Sequence, residues 1–450
     1  MDDFWVRGDR VLVDGVFAPR AVHVRRGVIA AVGEPAAIPA GAPVVDAGGA
    51  AVLPGLVDSH VHVNDPGRAD WEGFDTATRA AAAGGVTTIL DMPLNSIPST
   101  TSRPALEAKL AAMEGRAYVD VALCGGLVPT NVGDLGALVD AGVLAFKCFL
   151  AESGVDEFSH VNEAELSAGM RRLAELGATL LVHAELPGPL SEAEATVAGA
   201  DPRAYATWLR ARPRRAEDLA VDLVARFSAE YGARAHIVHL ASSDALPIVA
   251  RALDAKAPFT AETCPHYLTF AAEDVPDGAT EYKCAPPIRE RENRDKLWDG
   301  LRQGVLAQVV TDHSPSSAAM KCSESGDFSK AWGGIASLQL GLAAVWTEAR
   351  ARGMTLEHVA RLMCEAPARL LGLEGKKGRI AVGADADLAF FDDDADFVVE
   401  PQRREHPNTI PPYARRPLRG RVLRTIVRGH TVYDAGAFGP AVGAWQRRTR

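Results

Sequence analysis

The sequence predicts an α/β protein: a (β/α)8 TIM-like barrel with a small β-sandwich domain formed by both chain ends. Three observations predict it. Eight apolar runs of strand length, at 56–63, 86–91, 118–124, 143–149, 179–184, 235–241, 258–263 and 305–311, alternate with longer Ala-, Leu-, Glu- and Arg-rich stretches. Parallel strands buried on both faces read as continuous apolar runs, and helices between them supply the crossovers. Polar residues capable of chemistry end several of these runs, and a (β/α)8 barrel builds its site at the C-terminal ends of its strands. The two chain ends differ from this centre: short strand-like runs at 10–13, 21–24 and 28–32, and again at 377–380, 386–391 and 422–427, are separated by Gly and Pro turns. The expected division is a composite β domain from 1–54 and 376–450 around a barrel of 55–375. A doubly wound open sheet is the structural alternative, but no GxGxxG follows the first strand, so a dinucleotide site has no support.

Composition narrows the function. The chain has 450 residues, of which 47% are hydrophobic and 24% charged, enough for a large core. A net charge of −10 argues against a nucleic-acid partner, because phosphate binding wants a basic face. No apolar run approaches the ~18 residues that span a bilayer, so no membrane association is expected. Met1-Asp2-Asp3-Phe4 begins acidic, where a secretion signal begins basic. The six cysteines, Cys124, Cys148, Cys264, Cys284, Cys322 and Cys364, form no CxxC pair and read as reduced thiols. A cytoplasmic protein is expected.

Taken in order, the first barrel strand ends Asp58-Ser59-His60-Val61-His62, the fourth Phe146-Lys147-Cys148-Phe149, the fifth Leu181-Val182-His183, the sixth Ile237-Val238-His239 and the eighth Val310-Thr311-Asp312. His60 and His62 are two apart, so on a strand they share a face. A single strand-end histidine is more often a hydrogen-bonded core residue. Four of them with a carboxylate at equivalent ends make a nitrogen/oxygen site for zinc or a similar divalent ion.

Lys147 interrupts an otherwise apolar strand, and lysine is almost never buried unpaired. Snorkelling to solvent is the plain alternative. Beside two dications an ammonium is repelled, so a neutral amine is expected. Such an amine reacts with carbon dioxide to give a carbamate, whose two oxygens suit two metals at the ~3.5–4 Å separation of dinuclear sites. Asp312 then has two tasks: it binds one metal and serves as catalytic base towards a bridging hydroxide that attacks an amide carbon.

Two connections are long. The 186–218 connection contains Arg210-Ala211-Arg212-Pro213-Arg214-Arg215, read as a solvated helix end. The segment 313–333, rich in Ser, Ala and Gly, is a candidate mobile flap. Among the other histidines, His236 is expected to face away from His239 by strand alternation, and His313 away from Asp312. His266 either lines the pocket or makes a structural hydrogen bond. His23, His160, His358 and His406 carry no such pattern.

Taken together, these features resemble the amidohydrolase superfamily, specifically its cyclic-amidase branch of dihydroorotases, hydantoinases and allantoinases. The resemblance covers essentially the whole chain. It rests on Pro54-Gly55-Leu56-Val57-Asp58-Ser59-His60-Val61-His62, Cys264-Pro265-His266-Tyr267-Leu268, Lys283-Cys284-Ala285-Pro286-Pro287-Ile288-Arg289 and the closing Lys377-Gly378-Arg379-Ile380 to Gly383-Ala384-Asp385-Ala386-Asp387. It implies His60, His62, Lys147, His183, His239 and Asp312 as ligands of two divalent ions, zinc being expected, with Lys147 carbamylated by carbon dioxide and Asp312 as base. It also implies a homotetramer acting on a small cyclic amide or ureide. Dihydroorotases typically carry an Arg where this chain has Asn64, and hydantoinases a Tyr where it has Glu152. The runs His62 to Arg68, Trp71-Glu72-Gly73-Phe74, Asp91-Met92-Pro93-Leu94-Asn95, Thr311-Asp312-His313-Ser314-Pro315 and Trp332-Gly333-Gly334-Ile335 look like the allantoinase members. Opening of the hydantoin ring of allantoin to allantoate is therefore expected. A hydantoinase or dihydropyrimidinase specificity is the first alternative, and a non-catalytic barrel relative serving assembly is the second. Asn64, Asn95, Cys284 and Gly334 are the candidate substrate contacts. Asn64 is equally an Asx turn before Pro66, and Cys148 and Cys284 are equally small buried hydrophobes.

Overall fold

The structure is a computed structural model and describes residues 3–400 and 412–448. The N-terminal end supplies β1 (Asp3–Val13), β2 (Val16–Arg25), β3 (Val28–Gly33), β4 (Val44–Asp46) and β5 (Ala51–Pro54). Eight barrel strands follow: β6 (Leu56–Val61), β7 (Val86–Asp91), β8 (Asp120–Gly126), β9 (Ala145–Phe149), β10 (Thr179–His183), β11 (Ala235–Ile237), β12 (Phe259–Thr263) and β13 (Gln308–Val309). β14 (Leu388–Val398), β15 (Pro417–Val427), β16 (His430–Asp434), β17 (Ala437–Phe438) and β18 (Trp445–Gln446) complete the chain.

β6 to β13 pair in chain order, every pair parallel. Each of the eight expected runs therefore contributes a strand. The ring closes where the last run meets the first: Val61 bridges His313, and the His62 amide donates to the His313 carbonyl at 2.8 Å. Below that, the Thr311 amide donates to the Asp58 carboxylate at 3.1 Å and Gln308 Nε2 to Ser59 Oγ at 2.8 Å. Side chains thus replace part of the backbone ladder, which is why the run 305–311 shrinks to a two-residue strand. The helix Glu163–Glu175 shows how the outer layer is specified. Asn162 and Glu165 form a capping box at its start, and Leu166, Met170 and Leu173 bury one face.

The composite β domain is one hydrogen-bonded sheet in the order β17-β16-β15-β14-β5-β1-β2-β3, with β4 added to β1. The two chain ends join where β5 runs antiparallel to β14, from Ala51 opposite Phe391 to Pro54 opposite Leu388. Phe4, Val6, Val22, Val24 and Ile29 from one end meet Leu388, Phe390 and Ile426 from the other in a separate core. One strand of the C-terminal end pairs with the barrel instead of this sheet. β18 pairs in parallel with barrel strand β8 at Val121 and Ala122. β9 meets β8 only from Cys124 onwards, so the backbone groups before it need another partner, and the chain end provides one. Residues 1–2, 401–411 and 449–450 of the expected β domain, His406 among them, lie outside the described residues.

A buried ion cluster ties the two domains together. Lys377 Nζ lies 2.6 Å from Asp120 on β8, 2.7 Å from Asp387 and 2.8 Å from Asp385. Removing the cation strands buried carboxylates, a loss of about 3–5 kcal/mol. Lys377→Met is expected to lower the unfolding free energy by that amount in urea titration; a change within about 1 kcal/mol contradicts a structural role. Among the described residues no helix is long and apolar enough to cross a membrane.

Candidate active site

At the C-terminal mouth of the barrel the strand ends converge. His60 and His62 leave β6 with Nε2 atoms 3.2 and 3.5 Å from Asp312 Oδ1, and one donor atom from each of the three lies within 4.8 Å of the others. His183 ends β10. Its Nδ1 is 3.0 Å from His239 Nε2, and the His60 and His239 rings lie 5.4 Å apart between centroids. Lys147, on β9 and fully buried, sits with Nζ 5.1 Å from the centre of the Phe149 ring. A cavity of about 240 Å³ opens above them, with His62, Lys147, His183, His239 and Asp312 in its wall.

His239 and Asp312 reach this point with φ of 41° and 46°. Left-handed backbone is uncommon for non-glycine residues and costs about 1–3 kcal/mol, a cost met most often at functional sites.

The environment suits cations. Burial pushes His62 down to about 4, against a smaller opposing pull from Asp312. It also lowers His183, with Glu185 opposing, and takes His239 well below its ordinary value. Neutral imidazoles with free lone pairs result, the form that binds metal. Burial alone would raise Asp312, but His60 and His62 override it and hold the carboxyl at about 2. Burial brings Lys147 down to about 8, partly offset by Asp312 and Glu262. Buried polar groups are normally satisfied. Yet Lys147 Nζ, His60 Nε2 and His239 Nδ1 have no hydrogen-bond partner among the described residues. Orphaned donors of this type, clustered with a carboxylate, fit a divalent-metal centre.

The remaining expected residues divide. Asn95, Cys284 and Gly334 line the cavity. Gly334 has φ +126°, and a Cβ there would meet the Ser314 carbonyl oxygen at 2.3 Å, so only glycine lets the wall approach so closely. Asn64 does not line the cavity. It is buried behind Asn95, whose Nδ2 donates to its Oδ1 at 3.1 Å, so its side chain supports the wall instead of forming it. His313 faces away from Asp312 and bonds Glu72 at 3.0 Å. His266 does not line the cavity, and neither of its ring nitrogens has a partner among the described residues.

Two expectations are corrected. His236 does not turn away. Leu181 is in register with both Lys147 and His236, so all three share the inner face. β11 stops at Ile237, so the period-two alternation does not extend to His239. Nor is the arginine run simply solvated: Arg212 lines the cavity and grips Glu185 with Nε at 3.1 Å and Nη2 at 2.5 Å.

The carboxylates behind the histidines escaped the sequence reading. Glu262 accepts from His60 Nδ1 at 2.9 Å, His236 Nε2 at 2.9 Å and Gln308 Nε2 at 2.8 Å. Glu185 accepts from His183 Nε2 at 2.8 Å. A signal was present for both: an acid inside the strand Phe259–Thr263, and another two residues beyond a strand-end histidine. The segment 313–333 is pinned in this structure: Lys321 Nζ donates to the Trp332 carbonyl at 3.1 Å, and Lys283 Nζ to the Ala331 carbonyl at 2.5 Å.

Comparison with known proteins agrees with this geometry. A family model described as the amidohydrolase family matches residues 51–432. The chain belongs to the amidohydrolase family. Among amidohydrolase relatives, it is 49% identical to the allantoinase of Streptomyces avermitilis, covering 96% of each chain. It is 41% identical to the allantoinase of Arabidopsis thaliana, covering 97% of this chain and 89% of that one. Among solved structures it is similar to the L-hydantoinase (dihydropyrimidinase) of Arthrobacter aurescens, with a TM-score of 0.94, 30% identity and full coverage of both chains. An amidohydrolase with these relatives is a hydrolytic enzyme acting on a small cyclic amide.

Proposed function

We propose that this chain opens the hydantoin ring of allantoin to give allantoate, using two divalent ions held in the 55–375 barrel. The observation that carries the reading is the convergence of His62, His183, His239, Asp312 and an orphaned, fully buried Lys147 amine on one cavity, with His60 packed 3.2 Å from Asp312. Near-full-length similarity to allantoinases supports the choice of ring, as do Asn64 and Glu152 where other members of the branch carry Arg and Tyr.

His60, His62 and Asp312 would hold one ion, and His183 and His239 the other. Lys147, carbamylated by carbon dioxide, would supply an oxygen to each. When bound, such ions acidify water and polarise a carbonyl oxygen. The chain's own residues do the rest. Asp312 takes the proton of the attacking water and passes it to the departing ring nitrogen, so that one C–O bond forms as the amide C–N bond breaks. Glu262 and Glu185 fix the His60 and His183 tautomers, leaving Nε2 and Nδ1 as the free lone pairs. Asn95 and the backbone at Cys284 and Gly334 orient the ring. Zinc is the proposed metal because the donors are nitrogen and oxygen. The proposal extends to a cytoplasmic homotetramer, supported by the six free cysteines and by the resemblance to the branch, and to a β domain built from 1–54 and 376–450.

Metal-replete protein is expected to turn over allantoin with kcat/KM at least about tenfold above hydantoin and dihydrouracil, measured by ammonia-independent ring-opening assays. Negligible allantoin turnover beside robust hydantoin or dihydrouracil turnover would move the assignment to the hydantoinase or dihydropyrimidinase reading. No turnover of any ring would favour a non-catalytic relative.

A further inference from the structure

Each of two metal-facing histidines is backed by a buried carboxylate, but the carboxylates are held differently. Glu262 is held from inside the barrel by His236 and Gln308. Among the described residues Glu185 has no such core partner. It accepts from Nε and Nη2 along one edge of the Arg212 guanidinium, and Arg212 comes from the long connection between β10 and β11. From Arg212 the contacts continue outwards. The Arg212 carbonyl accepts from Arg289 Nη1 at 3.2 Å, and Arg289 Nη2 lies 3.3 Å from the buried Glu217. The guanidinium carbon stands 5.4 Å from the centre of the Trp208 ring, and Trp208 Nε1 donates to the Cys284 carbonyl at 3.3 Å. Arg212 and Trp208 both line the substrate cavity.

We infer that Arg212 is a positioning residue for the metal centre: through Glu185 it sets the tautomer and tilt of His183, and so ties one wall of the substrate cavity to one of the two ion sites. The chemistry is direct. With Nε2–H committed to Glu185, the neutral ring presents only Nδ1 to the ion, and a bidentate arginine fixes the plane of the carboxylate that receives that hydrogen bond. A lysine cannot replace it, because a single ammonium lacks the planar fork. The site fed by His183 and His239 should therefore depend on Arg212, whereas the site of His60, His62 and Asp312, backed by Glu262, should not.

This inference rests on the dinuclear reading, and its test is read without substrate. Apo protein is titrated with zinc against a chromophoric chelator, and with cobalt(II) while its visible absorption is followed, in the wild type and in Glu185→Gln, Arg212→Lys and Arg212→Ala. Glu185→Gln is isosteric, and Arg212→Lys keeps the charge, so folding failure of Arg212→Ala does not leave the matter open. Wild type is expected to bind two ions. All three variants are expected to lose about 10–100-fold in affinity at one site only, with an altered cobalt spectrum, a fall in kcat and KM changed little. Arg215→Ala, which removes an exposed partner of Glu192, should behave as wild type. Wild-type affinity at both sites in Glu185→Gln and Arg212→Lys overturns the inference, and a raised KM with unchanged metal binding would make Arg212 a substrate contact instead. Wild type that binds two ions but leaves allantoin intact refutes the proposed substrate alone, since the metal titrations still decide the role of Arg212.

Discussion

Replacing Lys147 with alanine is expected to reduce turnover by about a thousandfold or more and to leave fewer than two ions per subunit. The amine is fully buried and has no hydrogen-bond partner among the described residues. Its removal takes away the proposed bridging group, and a loss of about 4 kcal/mol in transition-state stabilisation corresponds to about three orders of magnitude. Millimolar acetate or propionate should restore part of the activity, because a small carboxylate can enter the space vacated and offer two oxygens. The same residue sets a pH dependence. Only the neutral amine reacts with carbon dioxide, and burial lowers the Lys147 pKa to about 8. The neutral fraction therefore grows as pH rises through that value. Reconstitution of apo protein with metal and bicarbonate should be faster at pH 9 than at pH 6, with activity and metal content followed over time. A Lys147→Ala protein with two ions and wild-type turnover would remove the bridging role.

Asp312→Asn is the second large effect. The amide keeps the shape and one oxygen donor but cannot take a proton, so kcat should fall by about 10²–10⁴-fold with KM close to wild type and metal content reduced far less than in Lys147→Ala. Steady-state kinetics paired with metal analysis separates the two tasks of the carboxylate. An unchanged kcat would assign the base elsewhere. His266 is then the group to examine, because it and Cys264 offer donor atoms within 4.8 Å of Asp312.

The cluster is legible in the sequence because each of its residues breaks or ends an apolar run. His62, His239 and Asp312 follow strands, His60 and His183 lie at the ends of theirs, and Lys147 is a cation inside one; the barrel's parallel geometry brings such positions to one mouth. The union of the chain ends is legible for a similar reason, as β5 and β14 show the same short-strand texture at opposite ends of the chain. What stays hidden depends on irregular backbone. Alternation places His236 correctly only if β11 is known to stop at Ile237, and His239 then enters the site by a left-handed turn. Asn64 and Asn95 are adjacent in space through turns of similar φ, both 66°, and nothing in their spacing says which one faces the cavity. Arg212 lies in a basic run whose composition looks solvated. Its burial comes from pairing with Glu185, at the start of the same β10–β11 connection, and no periodicity links the two. β18 is two residues long, too short for any pattern, and is explained only by the unpaired stretch of β8 that it covers.

Two ions are proposed at the barrel mouth, with a modified Lys147 between them. Anomalous diffraction at the zinc edge, from crystals of metal-replete protein grown with bicarbonate, tests this arrangement most directly. Two peaks are expected, one among His60, His62 and Asp312 and one beside His183 and His239, with electron density extending from Lys147 Nζ towards both. A single peak, or two peaks with an unmodified amine between them, would contradict it.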